Sequence, residues 1–186
     1  AAFTLDSSTQ ITATVPFTAA TGLLRVNTPA GSALSASNFV VLPAINAFTP
    51  GSGGFGAEVT ITGSGVTGVT NVQFNSAKAA FTFDSSTQMR ATVPNDAVTG
   101  PIRVDTPAGT ASAGTFIVSP IITSFSPLGG SPGLTVTITG TGFGNVTNVH
   151  FNGAGAVFQV DSVNQISAIV PVTATTGPIG VTTPEI

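Results

Sequence analysis

Residues 1–16 read AAFTLDSSTQITATVP and residues 79–94 read AAFTFDSSTQMRATVP, differing at 3 of 16 positions. A looser copy, AVFQVDSVNQISAIVP, occupies residues 156–171, so the three lie 78 and 77 residues apart. Agreement this dense marks internal duplication. Within the second copy Phe81 and Phe83 alternate with polar residues, an Asp84-Ser85-Ser86 turn follows, and Met89, Ala91 and Val93 alternate again. Period-two alternation on both sides of a turn reads as a pair of half-buried β-strands.

The register extends outward from this core. Phe48-Thr49-Pro50 returns as Phe125-Ser126-Pro127, EVTITGSG at residue 58 as TVTITGTG at residue 135, and NVQFN at residue 71 as NVHFN at residue 148. TGPIRVDTPAG at residue 99 is preceded by TGLLRVNTPAG at residue 21. A period near 77 is longer than a solenoid or propeller unit, so each copy is expected to carry its own core. The expected division is a partial repeat over residues 1–43, corresponding to the second half of a copy, a complete repeat over residues 44–119, and a repeat over residues 120–186 lacking its last strand. No Gly/Ser linker separates the copies. Phe39-Val40-Val41-Leu42-Pro43 runs into Ile45, and Phe116-Ile117-Val118-Ser119-Pro120 into Ile121, which predicts stiff junctions.

In the complete copy the alternating pairs are Val59 with Ile61, Val72 with Phe74, Phe81 with Phe83, Met89 with Ala91 and Val93, Ile102 with Val104, and Phe116 with Val118. Gly, Pro, Asp and Ser turn chemistry punctuates every run. About seven short strands and no helical face predict an all-β chain of tandem immunoglobulin-like two-sheet sandwiches.

The order FxPxxG, VTITGxGF, VxFNG, DSxxQIxAxVP, TGxIxVxTPxG and a closing F-V strand resembles the IPT/TIG domain, an immunoglobulin-like fold. In the third copy it is carried by Phe125-Ser126-Pro127 and by residues 136–143, 149–153, 161–171 and 176–184. Val66 stands where that copy has Phe143, a departure from the pattern. The resemblance implies a spacer or binding module, in bacteria mostly extracellular or on the cell surface, with no catalytic constellation to carry over.

Composition narrows the functions. Only 6% of the 186 residues are charged, the net charge is −3, and the basic residues are Arg25, Lys78, Arg90 and Arg103 alone. That is too little for phosphate neutralisation, so no nucleic-acid partner is expected. The chain has no cysteine, which removes disulfides, thiolate metal sites and thiol nucleophiles. No apolar run approaches the roughly 18 residues of a membrane helix, so no membrane insertion is expected.

Candidate reactive groups are sparse. His150 is the single histidine, its counterpart is Gln73, and it is expected to point outward from a strand. Asp6, Asp84 and Asp161 recur in every copy, each expected to cap its own turn rather than bind calcium, which wants several carboxylates. Asp96 and Asp105 are candidates to approach Asp84, but their third-copy counterparts are Thr173 and Thr182. Residues 63–68 match GxGxxG, yet strand-like NVQF follows instead of the helix that phosphate binding needs. Asn145-Val146-Thr147 forms a glycosylation sequon in a predicted loop. All 13 aromatics are Phe, which weighs against a sugar-stacking platform. The expectation is no catalytic, cofactor-binding or metal-binding residue, no cofactor, and no enzyme.

Two functions remain. The first is an extracellular rod or filament component that self-associates, with strand donation or exchange between subunits as the means of assembly. The alternative is an adhesin or carbohydrate-binding accessory module with a glycan or surface-protein ligand held by loops. Counting constrains the first reading. Roughly thirty repeat positions occur in both the first and third copies, so joining would require only a closing strand (residues 37–41) to be donated, or a segment to be displaced.

Overall fold

Alternating apolar and hydroxyl side chains produce strands along the whole chain, described here for residues 1–184 of a computed structural model. Residues 1–43 form two antiparallel hairpins, β1 (Phe3–Ser7) with β2 (Gln10–Ala13) and β3 (Gly22–Thr28) with β4 (Gly31–Phe39). No residue of 1–42 is buried, and Phe3, Leu5 and Leu34 are more than 60% exposed. A segment this small encloses little apolar surface by itself.

The next unit holds β5 (Ala44–Thr49), β6 (Ser52–Gly53), β7 (Glu58–Ser64), β8 (Asn71–Phe74), β9 (Ala77–Lys78), β10 (Ala80–Ser85), β11 (Gln88–Thr92), β12 (Gly100–Thr106) and β13 (Gly109–Val118). Six of these carry the alternating runs read from the sequence, β5 is a seventh strand, and β6 and β9 add two-residue strands at the sheet edges. One sheet runs β10-β11-β7-β5, the other β6-β13-β12-β8-β9. Register puts Met89 opposite Ile61 and Ala91 opposite Val59 in the first sheet, and Ile102 opposite Phe74 and Val104 opposite Val72 in the second. These eight side chains are 1% exposed or less and form the core together with Val93, Phe116 and Val118. Burying a side chain of this size contributes roughly 1.5–3 kcal/mol, so the pattern that makes the strands also holds the sheets together.

Two sequence expectations shift here. Phe83, expected inside with Phe81, is 47% exposed, because β10 is the outer strand of its sheet and its register breaks between Phe83 and Ser85. Val66 is fully buried, as is its counterpart Phe143, so that departure keeps the position in the core.

Residues 120–184 repeat the plan with β14 (Ile121–Ser126), β15 (Thr135–Thr141), β16 (Asn148–Phe151), β17 (Ala154–Gly155), β18 (Phe158–Ser162), β19 (Gln165–Ile169) and β20 (Ile179–Thr182). Phe143–Asn145 adds one 3₁₀ turn. The sheets are β14-β15-β19-β18 and β17-β16-β20, around a core that includes Val136, Ile138, Val149, Ile166 and Ala168. Ile166 faces Ile138 just as Met89 faces Ile61, so the offset of 77 holds strand by strand.

The junctions are built on backbone contact. Gly65 (φ +63°) and its counterpart Gly142 (φ +74°) present bare Cα faces to the carbonyls of Leu42 and Ser119, where each incoming strand turns into the next unit. A side chain at either glycine would meet that carbonyl. At the second junction Asn164 Nδ2 donates to the Asn95 carbonyl at 3.0 Å and to the Gly140 carbonyl at 3.0 Å, and Val98 packs on Gly144. At the first junction the counterparts of Val98 and Gly144 are Ala20 and Thr67, and both line a cleft of about 330 Å³.

Candidate functional site

The recurring aspartates do not cap their turns. The turn hydrogen bond comes from the serine that follows: Ser7, Ser85 and Ser162 accept from the amides of Thr9, Thr87 and Asn164, each at 3.2 Å. The aspartates remain on the strand and reach across the hairpin. Asp6 accepts from Thr12 at 2.6 Å, Asp84 from Arg90 at 3.0 Å, and Asp161 from Ser167 at 2.7 Å. The Arg90 hydrogen bond holds the Asp84 carboxyl below its ordinary range. Each carboxylate therefore spends its charge within its own hairpin.

Asp105 forms a second polar cluster on the other sheet. It accepts from Asn71 Nδ2 at 2.9 Å, Thr110 Oγ1 at 2.7 Å and Arg103 Nε at 3.0 Å. These donors, Asn71 foremost, lower its carboxyl to about 2. Asp105 is thus tied to its own sheet, and Asp84 to Arg90 on the other. Among the described residues no three His, Cys, Asp or Glu side chains gather as a metal site. His150 lies half-buried on β16, its ring over Gly180 of the neighbouring β20. Residues 63–68 run off the end of β7 through a loop with Gly65 and Gly68 at positive φ and enter β8, so they are a strand-to-strand turn. Asn145 is exposed at the end of the 3₁₀ turn.

A concave site lies elsewhere, between the two sheets of residues 120–184. It measures about 230 Å³ and is lined by Phe125, Val136, Phe151, Val170, Ala174 and Ile179, among others. Their counterparts in the preceding unit are Phe48, Val59, Phe74, Val93, Ala97 and Ile102, which pack in one core with Phe116. The Phe116 ring lies 4.9 Å from that of Phe74 and 6.3 Å from that of Phe48, in the space that the cleft leaves between Phe151 and Phe125. The opening shows in burial. Val93, Ile102 and Val104 are fully buried, whereas Val170, Ile179 and Val181 are only half-buried.

These six side chains are apolar, but backbone and hydroxyl groups, among them Gly129, Gly130, Thr175 and Thr176, make up about half of the lining. Such a site can seat an apolar ring or add a strand, but it offers no nucleophile, base or metal ligand. An open groove here is what the offset of 77 leads one to expect, because the counterpart of Phe116 falls past Ile186, where this stretch of sequence ends.

The sequence profile of the IPT/TIG domain matches residues 43–118 and 120–184. The chain belongs to the IPT/TIG domain family. It carries two tandem matches, each covering one of the two cored sandwiches described above. No curated protein matches the chain by sequence.

Solved structures resemble parts of the chain at low identity. One, crystallised with a xylogluco-oligosaccharide, is 23% identical with a TM-score of 0.44, over 76% of this chain and 38% of that one. A surface glycan-binding protein from Prevotella bryantii is 17% identical with a TM-score of 0.48, over 76% and 40%. The extracellular region of plexin A4 is 20% identical with a TM-score of 0.38, over 70% and 16%. The chain thus spans two fifths or less of these proteins' lengths, and the likeness is one of fold.

Proposed function

We propose that the chain is a non-catalytic accessory module of an extracellular or cell-surface protein of the adhesin or carbohydrate-binding kind. On this reading residues 1–43, 44–119 and 120–186 are successive repeats that hold binding surfaces at fixed spacing. The carrying observation is the second junction. There the hydrophobic cores of two domains meet across Ser119-Pro120, with Asn164 bonded back to Asn95 and Val98 seated on Gly144, a handover with little room to hinge. Support also comes from an exterior on which the Asp6, Asp84, Asp105 and Asp161 carboxylates are engaged within their own hairpins and sheets. One of the similar structures above is named a surface glycan-binding protein and another was crystallised with a xylogluco-oligosaccharide, so glycans are the ligand class to screen first.

The test combines two measurements on the full chain. Affinity electrophoresis through gels containing soluble plant and bacterial polysaccharides should show retardation by at least one glucan, with no release of sugar on incubation. Small-angle scattering should give an elongated particle with a fixed spacing between its domains. Sugar release would overturn the non-catalytic reading, and unretarded migration through every gel would overturn the glycan-binding one.

A further inference from the structure

We infer that the outer face of the β6-β13-β12-β8-β9 sheet carries a binding row for an acidic polysaccharide, with Lys78 and Arg103 as its two cationic contacts and Gln73 between them. The inference rests on the glycan reading above and adds to it the charge class of the ligand and the place where it lies.

Alternation fixes the face. Val72, Phe74, Ile102 and Val104 turn into the core, so Gln73 and Arg103, between them on the same strands, turn outward. Register then lines up Lys78 on β9, Gln73 on β8, Arg103 on β12 and Ser112 on β13 as directly opposed neighbours. Adjacent strands lie about 4.8 Å apart, so the row is roughly 14 Å long. Its two cations are rooted roughly 9.5 Å from each other, near the length of a disaccharide unit.

Arg103 is held in place. Two residues further along the same face of β12, Asp105 accepts from its Nε at 3.0 Å, and Thr110 accepts from its Nη2 at 3.4 Å. Asn71 and Thr110 donate to the same carboxylate at 2.9 and 2.7 Å, which fixes the carboxylate in turn. The guanidinium is thereby oriented along one edge, while the side chain stays half exposed and Nη1 has no partner among the described residues. A planar fork set in advance loses less freedom when it meets a carboxylate. Lys78 is exposed, and among the described residues no carboxylate pairs with it. Arg90 differs, because it lies on the other sheet and is taken up by Asp84 and Glu58.

The fold does not require these charges. The third copy builds the same strands with Gly155 and Gly180 at the counterparts of Lys78 and Arg103, His150 at that of Gln73 and Thr182 at that of Asp105. The chain has only four basic residues, and folding does not account for two of them standing on one row. Their number also selects the ligand. A nucleic acid asks for more positive charge than two side chains supply, and a neutral sugar chain asks for none. A uronate-bearing chain spaces single carboxylates along its length, which a Lys and an Arg about one disaccharide apart can meet. Gln73 and Ser112 are placed to hydrogen-bond the hydroxyls between and beside them.

The test titrates trigalacturonate, and cellotriose in parallel, into the isotope-labelled full chain and follows amide chemical shifts. Trigalacturonate should give saturable shifts centred on residues 71–78 and 103–112, and the binding should weaken as salt is raised to about 0.5 M, because exposed charges are screened. Lys78→Gln and Arg103→Gln should each weaken binding about threefold to fivefold, the effect of one exposed charge pair. Lys78→Arg should keep the parent affinity. Lys78→Gln should melt with the parent chain, since no ion pair of the fold is lost, so its deficit reports binding alone. Three results overturn the inference and leave the glycan reading standing: trigalacturonate shifts that fall elsewhere or are absent while some polysaccharide gel retards the chain, cellotriose binding the row as tightly as trigalacturonate, or normal binding by Lys78→Gln. No shift with either sugar and no retardation in any gel would end both.

Discussion

The ring of Phe116 meets that of Phe74 edge-on, with centroids 4.9 Å apart and planes inclined at 72°. Phe74 comes from β8 and Phe116 from β13, strands separated in their sheet by β12, so the contact bridges a whole strand of the middle domain. Phe116→Ala removes both the buried area and the edge-to-face contact. The expected cost is about 3–5 kcal/mol, comparable to the whole stability of many small domains. Urea unfolding followed by a probe in residues 44–118 should show loss of most of that unit's transition, whereas Phe83→Ala at an exposed position should change it by less than about 0.5 kcal/mol.

Acid should weaken the middle domain through Asp105. Its carboxyl is lowered to about 2 in the fold, so the unfolded chain binds the proton more readily than the folded one. The stabilisation is therefore complete above the ordinary carboxylate range, near pH 4, and is lost as pH falls towards 2. Asp84, also lowered, adds a contribution of the same sign. Melting temperatures recorded from pH 6 to pH 2 should fall less steeply for Asp105→Asn than for the parent chain. Residues 120–184, where Thr182 replaces the aspartate, should not share this part of the pH response.

Gly65→Ala should loosen the first junction. The left-handed backbone at φ +63° costs an L-residue about 1–2 kcal/mol, and the new methyl group would press on the Leu42 carbonyl. Hydrogen exchange should quicken at the amides of Leu42, Ala44, Ile45 and residues 63–66. Equal protection in variant and parent would show that the contact bears no load.

Asn164→Ala should uncouple the last two domains. It deletes the bond to the Asn95 carbonyl and the bond to the Gly140 carbonyl, together on the order of 1–2 kcal/mol. Residual dipolar couplings that fit one alignment frame for residues 44–184 in the parent should require two in the variant.

Much of this was readable from the residues. The alternation of Val59 with Ile61 and of Met89 with Ala91 names the buried faces correctly, because both strands lie inside a sheet with the opposite sheet over them. Phe83 shows the same alternation and is exposed, since period two cannot tell an edge strand from a central one. The DSS turn fixed the hairpin, but assigning the cap to Asp84 instead of Ser85 was an error of one residue. The register break between Phe83 and Ser85 leaves Asp84 on the strand, facing Arg90, and a break of that kind leaves no mark in turn composition.

The two-residue strand β6 runs parallel to the end of β13, with Ile117 beside Ser52 and Val118 beside Gly53. Because these neighbours point the same way, pulling residues 44 and 118 apart would slide them past one another instead of peeling them open. The amides of Ile117 and Ser119 would then take up the tension at the same moment. A string of such units pulled from its two ends would yield abruptly at this clasp, and the direct strand-to-strand handover at Ser119-Pro120 would carry the strain to the following unit with little slack.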